Sequence, residues 1–352
     1  MTRTLSRSLT LVLAAVALVG CSPRGEGAGV TTLPGSSSTS SRTLVIAVRA
    51  EPGTLALKAL SSGAGTSFAT SQRAFNATLG FIDGQGIPRP YLAETLPQLN
   101  TDTWRLSPDG TMDTTNRLKE NLSWQDGAPL SAEDFVFAWQ VYTAPQVGIA
   151  SGAPQNLMAD VAAPDARTIA IRWKKRYPDA GTLSVDEFPP LPRHILQASF
   201  QQDPEGLATQ PFWTRDYIGL GPFRLARWEP GAFIEGTAFE GHVLGQPRIG
   251  RIRVIFVPDT NTALAGLLAG DVQFATDSVI RFEQGLVLQR EWGPRRGGSV
   301  LVKTGGYRAA WAQLRPELGD PKAILDLRVR KALATASIGQ TSTRRFSRGR
   351  AS

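Results

Sequence analysis

The stretch RIRVIFVPDTNTALAGLLAGDVQFAT, Arg251 to Thr276, changes its hydrophobic period twice. Ile252 to Val257 is a β-branched, apolar run, which predicts a strand. Asp259 stands where a helix N-cap belongs, and Leu264, Leu267 and Leu268 follow at i, i+3 and i+4. Gly270 supplies the helix stop, and Val272 to Ala275 predicts a strand returning parallel to the first. Strand, helix and strand in this order give a right-handed crossover unit and a parallel sheet. The segment TLVIAV, Thr43 to Val48, is a second apolar run without polar alternation, as a strand covered on both faces requires. Glu51-Pro52-Gly53 breaks it.

Between these segments the pattern is β-rich. Ser107-Pro108-Asp109-Gly110 is a turn in which Pro presets φ and Gly takes the positive φ. Asp126-Gly127 repeats the hairpin signal after Leu122 and Trp124. A helix is predicted from Ser131, its cap, with Asp134 three residues on; Phe135, Val136 and Trp139 form its apolar face and Pro145 ends it. The fold class is therefore α/β, with an inserted β-rich subdomain.

The chain has 352 residues and a net charge of +8. Seven basic residues and no acid lie between Arg328 and the end, and Arg3 and Arg7 sit in the first twenty residues; removing these nine from +8 leaves −1 over residues 21–327. The body is thus near neutral and shows no basic stripe with interleaved aromatics, so nucleic acid is not an expected partner. Residues 1–20 combine a basic start with an apolar run too short to span a bilayer, as in a secretory signal. Leu18-Val19-Gly20-Cys21 resembles the lipobox of bacterial lipoproteins, which implies acylation of Cys21, the sole cysteine, and a lipid anchor. Residues 21–42 are rich in Gly, Ser and Thr and read as a flexible tether.

Catalytic and metal signatures are sparse. His194 and His242 lack metal-ligand spacing. Neither a G-x-S-x-G motif nor a P-loop occurs, and GLGPF, Gly219 to Phe223, puts Pro222 where a phosphate loop needs an amide donor. Two carboxylate pairs, Glu133-Asp134 and Asp186-Glu187, leave a secreted hydrolase as the alternative from the enzyme class. A surface protein with an interaction role alone is a third reading. No cofactor is expected. Taken alone, the residues describe a membrane-tethered, two-part α/β protein that binds a ligand.

Three stretches narrow this. LKENLSWQDGAPLSAEDFVFAW, Leu118 to Trp139, resembles the signature of the peptide/nickel-type (family 5) extracellular solute-binding proteins of ABC importers. YIGLGPFRLARWEPG, Tyr217 to Gly231, is similar to that family's Gly-Thr-Gly-Pro-Phe strand, with Leu220 in place of Thr. Arg251 to Ala275 resembles its crossover unit, with Gln273 where Asp is common. The resemblance implies a periplasmic-binding-protein-like fold of two lobes that close on a solute, an oligopeptide or dipeptide foremost. It also implies delivery to permease subunits at the extracytoplasmic face of a bacterial membrane, and no enzymatic activity. The first lobe is expected over residues 43–300, with the inserted subdomain over about 75–200. Cleft-side candidates are Glu51, Gly53 and Thr54 after the first strand, and Gly219 and Gly221 in the turn.

At the C-terminus the resemblance carries through DLRVRKALA, Asp326 to Ala334; Ile324 and Leu325 just before it, with Val329 and Leu333 within it, predict one helix up to Ala334. Family chains continue there with a segment like Tyr-Ala-Ile-Asp-Arg, where this chain has Thr335-Ala336-Ser337-Ile338-Gly339. Regrouped by one base, codons for those five residues permit His-Ser-Ile-Asp-Arg. The expectation is a start of the second lobe over 301–334, an out-of-frame basic tail over 335–352, a second lobe largely missing, and weak or absent solute binding. A stop codon within a few residues in the neighbouring frame would count against this.

Overall fold

The computed structural model describes residues 42–58, 60, 72–147, 152–184, 187–276, 279–294, 297–302 and 311–337. Two compact units divide the chain, Met1–Val279 and Ile280–Ser352. The division falls some twenty residues before the expected lobe boundary near 300.

In the first unit a five-stranded sheet has the order β11-β1-β10-β9-β8. Its strands are β1 (Thr43–Val48), β8 (Phe223–Glu229), β9 (Phe233–Ala238), β10 (Arg251–Phe256) and β11 (Phe274–Ala275). β1 runs parallel to β10 in the register Thr43↔Arg251 to Val48↔Phe256, and parallel to β11 on its other edge. Ile46, Ala47 and Val48 are buried in succession, which only a strand covered on both faces allows. The crossover therefore spans β1: β11 pairs with β1, not with β10. Gln273 helps hold it there, taking the Val45 amide on its Oε1 at 2.9 Å while its own amide donates to Val45 O at 3.1 Å.

Between β10 and β11 runs α3 (Thr260–Ala269), the third α-helix among the described residues, capped by Asp259, which accepts from the Thr262 amide at 2.7 Å, and closed by Gly270 at φ +85°. Ala263 and Leu267 form its buried face, whereas Leu268 is 45% exposed. Of the three spaced leucines only Leu267 is buried; Leu264 is partly covered, and Ala263 rather than Leu268 turns inward.

A second sheet, order β4-β5-β7-β6, comprises β4 (Trp104–Leu106), β5 (Met112–Arg117), β6 (Met158–Asp165) and β7 (Thr168–Trp173). A short pair, β2 (Gly80–Ile82) and β3 (Pro88–Pro90), precedes it. Gly110, at φ +88°, makes the β4–β5 turn as its sequence requires. Against this sheet packs α1 (Ala132–Thr143), and α2 (Arg193–Gln202) packs on α1. The buried face of α1 is Phe135, Phe137, Ala138, Val141 and Tyr142; Val136 and Trp139 are only partly covered. Contact with both a sheet and a helix makes that face wider than a single stripe. One continuous core joins Ile46, Val48 and Val254 of the parallel sheet to Trp124, Phe135, Phe188 and Trp173 of the insert. The insert has its own sheet but shares the unit's core.

In the second unit the structure shows α4 (Phe282–Trp292), a 3-10 turn over Lys322–Leu325 and α5 (Leu327–Ser337). The single helix expected from Ile324 onward is divided at Asp326, whose carboxylate takes the Arg328 amide at 2.8 Å and its guanidinium at 2.7 Å. α5 itself continues past Ala334 to Ser337.

Candidate functional site

The loop that leaves β1 opens onto a depression of about 770 Å³. Glu51, Pro52 and Gly53 form one side of it. Residues 208–211 and Trp213, Thr214 and Arg215 form another, and Trp228 and Pro230 at the β8–β9 hairpin complete the lining. Two indoles and three prolines give the apolar part of a mixed lining, with Thr209, Gln210 and Thr214 among its polar groups; Glu51 and Arg215 are the charged side chains. Such a volume lies within the range of small-molecule sites.

Glu51 is held at both oxygens. Trp228 Nε1 donates to its Oε1 at 2.6 Å and the Gly231 amide to its Oε2 at 2.8 Å. The strand end is thereby tied to a hairpin 180 residues later. Thr54 lies beneath the floor, buried, with its Oγ1 donating to Trp213 O at 2.9 Å; the Leu55 amide donates to the same carbonyl at 3.0 Å. Gln72 Nε2 bridges Thr54 O at 3.1 Å and Ala56 O at 2.8 Å. Asn76 Nδ2 reaches Leu55 O at 2.8 Å and takes the Tyr217 hydroxyl on its Oδ1. Burial holds the Tyr217 phenol well above its usual range, so it stays a donor. The floor is thus a hydrogen-bonded net under an exposed rim, with Gln72 Oε1 a buried acceptor that finds no partner among the described residues.

Of the residues singled out from sequence, Glu51 and Gly53 line the depression and Thr54 supports it. Gly219 and Gly221 stand elsewhere, in the interior. A Cβ on Gly219 would come within 2.0 Å of Phe75 O, and one on Gly221 within 2.3 Å of the Asn76 amide nitrogen. These glycines let two backbones touch. Gln125, fully buried, joins them to the Leu118–Trp139 stretch: its Oε1 accepts the Gly219 amide at 3.1 Å, and its Nε2 donates to Gly221 O at 3.0 Å and Phe223 O at 2.7 Å. Cys21 lies outside the described residues. The 208–215 wall and Trp228 were not singled out; the aromatic and proline density of QPFWTRDY was the available signal.

Glu133, Asp134 and Glu187, of the two carboxylate pairs, do not line the depression. Asp134 is buried, accepting the Ser131 and Arg193 amides at 2.9 Å each, and desolvation holds its carboxyl above the usual range. Glu187 takes the Tyr177 hydroxyl at 2.7 Å and the Ser184 amide at 2.7 Å; its neighbour Asp186 lies outside the described residues. His194 Nε2 stands 2.7 Å from Asp126 Oδ2, and His242 Nε2 3.2 Å from the Tyr91 hydroxyl. Among the described residues no three His, Cys, Asp or Glu side chains gather as a metal site.

Comparison with known proteins agrees with this architecture. The oligopeptide-binding protein AppA of Bacillus subtilis is 26% identical over 183 residues, covering 52% of this chain and 32% of AppA. Heme-binding protein A of Haemophilus influenzae is 26% identical over 288 residues, covering 76% of this chain and 49% of that protein. The chain therefore spans half or less of the length of the curated relatives it matches. In fold it resembles AppA in complex with a nonapeptide, at a TM-score of 0.58 and 22% identity over 70% of this chain and 46% of that one. It likewise resembles the oligopeptide-binding protein of Thermus thermophilus complexed with a pentapeptide, at 0.62 and 20% over the same shares, 70% and 46%. The sequence profile of the bacterial extracellular solute-binding proteins, family 5, middle region, matches residues 94–338, well over half of the chain. The chain belongs to the bacterial extracellular solute-binding proteins of family 5.

Proposed function

We propose that the depression is the first-lobe wall of a solute cleft. The protein captures a peptide-class solute outside the cytoplasm and hands it to the permease of an ABC importer. The observation that carries this reading is the clamped rim over a hydrogen-bonded floor: Glu51 held by Trp228 and Gly231, and Thr54 held by Trp213. A wall of indole and proline with a few oriented polar groups suits an extended peptide, whose own backbone supplies hydrogen bonds. AppA, a relative, is named for oligopeptide binding.

All the lining residues belong to one compact unit, so they offer one wall, and affinity on the millimolar scale (about −4 kcal/mol) is the expectation. Titrating residues 22–352 with tetra-alanine, followed by the indole N–H signals of Trp213 and Trp228, is expected to give saturable shifts there and none at Trp173. Unmoved signals at both depression indoles would overturn the reading, and micromolar binding would overturn the one-wall expectation. The reading includes an acyl anchor at Cys21: Cys21→Ala is expected to move the chain from the membrane to the soluble fraction in cells. It includes, too, the frame shift after Ala334, tested by reading the gene one base over. No described helix is long and apolar enough to cross a membrane.

A further inference from the structure

The depression carries a carboxylate, Glu51, that forms no ion pair among the described residues. Glu51 accepts from two neutral donors, the Trp228 indole at 2.6 Å and the Gly231 amide at 2.8 Å. Neutral donors orient a carboxylate but leave its charge in place, so it keeps both its field and free lone pairs toward the depression. The same indole that holds the carboxylate forms part of the wall, and the face of an indole attracts a cation as well. Pro52 and Trp213, both largely buried, back the wall with apolar groups at its base. The other charged lining residue, Arg215, makes no side-chain hydrogen bond or ion pair among the described residues and stands on a separate segment of the chain.

The geometry points to Glu51 as the specificity-determining residue of this wall, selecting solutes that carry a cationic side chain, lysine or arginine class, over isosteric neutral ones. This rests on the solute-cleft reading above. Because Glu51 is exposed, the expected discrimination is modest, about threefold, as for other solvated ion pairs.

The test uses three tripeptides with free termini, Ala-Lys-Ala, Ala-norleucine-Ala and Ala-Glu-Ala, titrated against the full chain with the Trp228 indole signal as readout. The expected order is Lys tighter than norleucine by about threefold, with Glu weaker than both. The Lys preference is expected to shrink as salt rises, since exposed charges are screened. In Glu51→Gln the Lys-to-norleucine ratio falls to about one, while Glu51→Asp, which keeps the charge, keeps a ratio above one. Norleucine and lysine peptides binding alike to the unsubstituted chain would overturn the inference and leave the cleft reading standing. A lysine preference surviving in Glu51→Gln would do the same. Absence of binding by all three peptides would overturn the cleft reading, and the inference with it.

Discussion

Gln125 and Gly219 hold each other through two hydrogen bonds: the Gln125 amide donates to Gly219 O at 3.1 Å, and the Gly219 amide to Gln125 Oε1 at 3.1 Å. With the Nε2 bonds to Gly221 and Phe223, the glutamine works as a short artificial strand beside the turn. Two stretches that resemble the family separately, Leu118–Trp139 and Tyr217–Gly231, are therefore one structural unit. Their coupling explains why a glutamine stands between Trp124 and Asp126 at a site where a surface loop would accept many residues.

Replacing Gln125 by Ala removes three side-chain bonds and leaves the buried Gly219 amide without its acceptor. Each stranded buried group costs about 1–3 kcal/mol, so a loss of about 3–5 kcal/mol is expected. Urea denaturation followed by tryptophan fluorescence measures it. A loss below about 1 kcal/mol would show that water replaces the side chain at no great cost.

The two glycines give a sharper contrast. Gly219→Ala and Gly221→Ala each set a Cβ against backbone atoms, at 2.0 Å from Phe75 O and 2.3 Å from the Asn76 amide nitrogen. Backbone cannot rotate away as a side chain does, so each is expected to lower stability by about 3 kcal/mol or more, or to prevent folding. Gly84→Ala, with nothing within 4 Å of the added carbon, is expected to stay within about 0.5 kcal/mol. Midpoints from the same denaturation experiment compare the three.

Local signals were legible in sequence and long-range ones were not. β1, the Gly110 turn and the Asp259 cap with its Gly270 stop each depend on residues within a few positions, and the chain folds there as its periodicity and turn chemistry dictate. The Trp213 wall depends on a bond to Thr54, 159 residues away, which no spacing encodes. Gly219 drew attention as a cleft residue because a glycine reads alike at a ligand and at a crowded backbone crossing. Only the neighbour, Phe75, distinguishes the two. Asp326 divides a helix because a short acid bonded to the Arg328 amide competes with helical backbone bonds, a choice that apolar spacing conceals.

Asp134 joins two helix starts, taking the Ser131 amide at α1 and the Arg193 amide at α2, both at 2.9 Å. Asn in its place keeps one acceptor and turns an NH₂ toward the other amide. The gain from removing a desolvated charge opposes the loss of an acceptor, and the stranded N–H is the larger effect. Asp134→Asn is expected to destabilise by about 1–2 kcal/mol at neutral pH, read from chemical denaturation, with α2 amides exchanging faster than those of β1. Faster exchange confined to β1 would contradict the assignment.

His242 sets an acid limit on the first unit. It is 8% exposed, and burial, aided by Lys119, holds its imidazole below the usual 6.5. Its neighbour across the contact, the Tyr91 phenol, is pushed up to about 12 by burial and stays protonated throughout. The unfolded chain therefore takes up a proton on His242 near pH 6.5, before the folded chain does. Stability contributed by the neutral imidazole is complete above pH 6.5 and is lost as pH falls toward the folded value, at no more than about 1.4 kcal/mol per pH unit. His242→Gln keeps a partner for the Tyr91 hydroxyl but cannot titrate. Between pH 7.5 and 5.5 the unsubstituted protein is expected to lose more stability than His242→Gln, measured by urea denaturation at both values. The carboxylates contribute equally to both proteins, so an identical loss in the two would assign the acid sensitivity to groups other than His242.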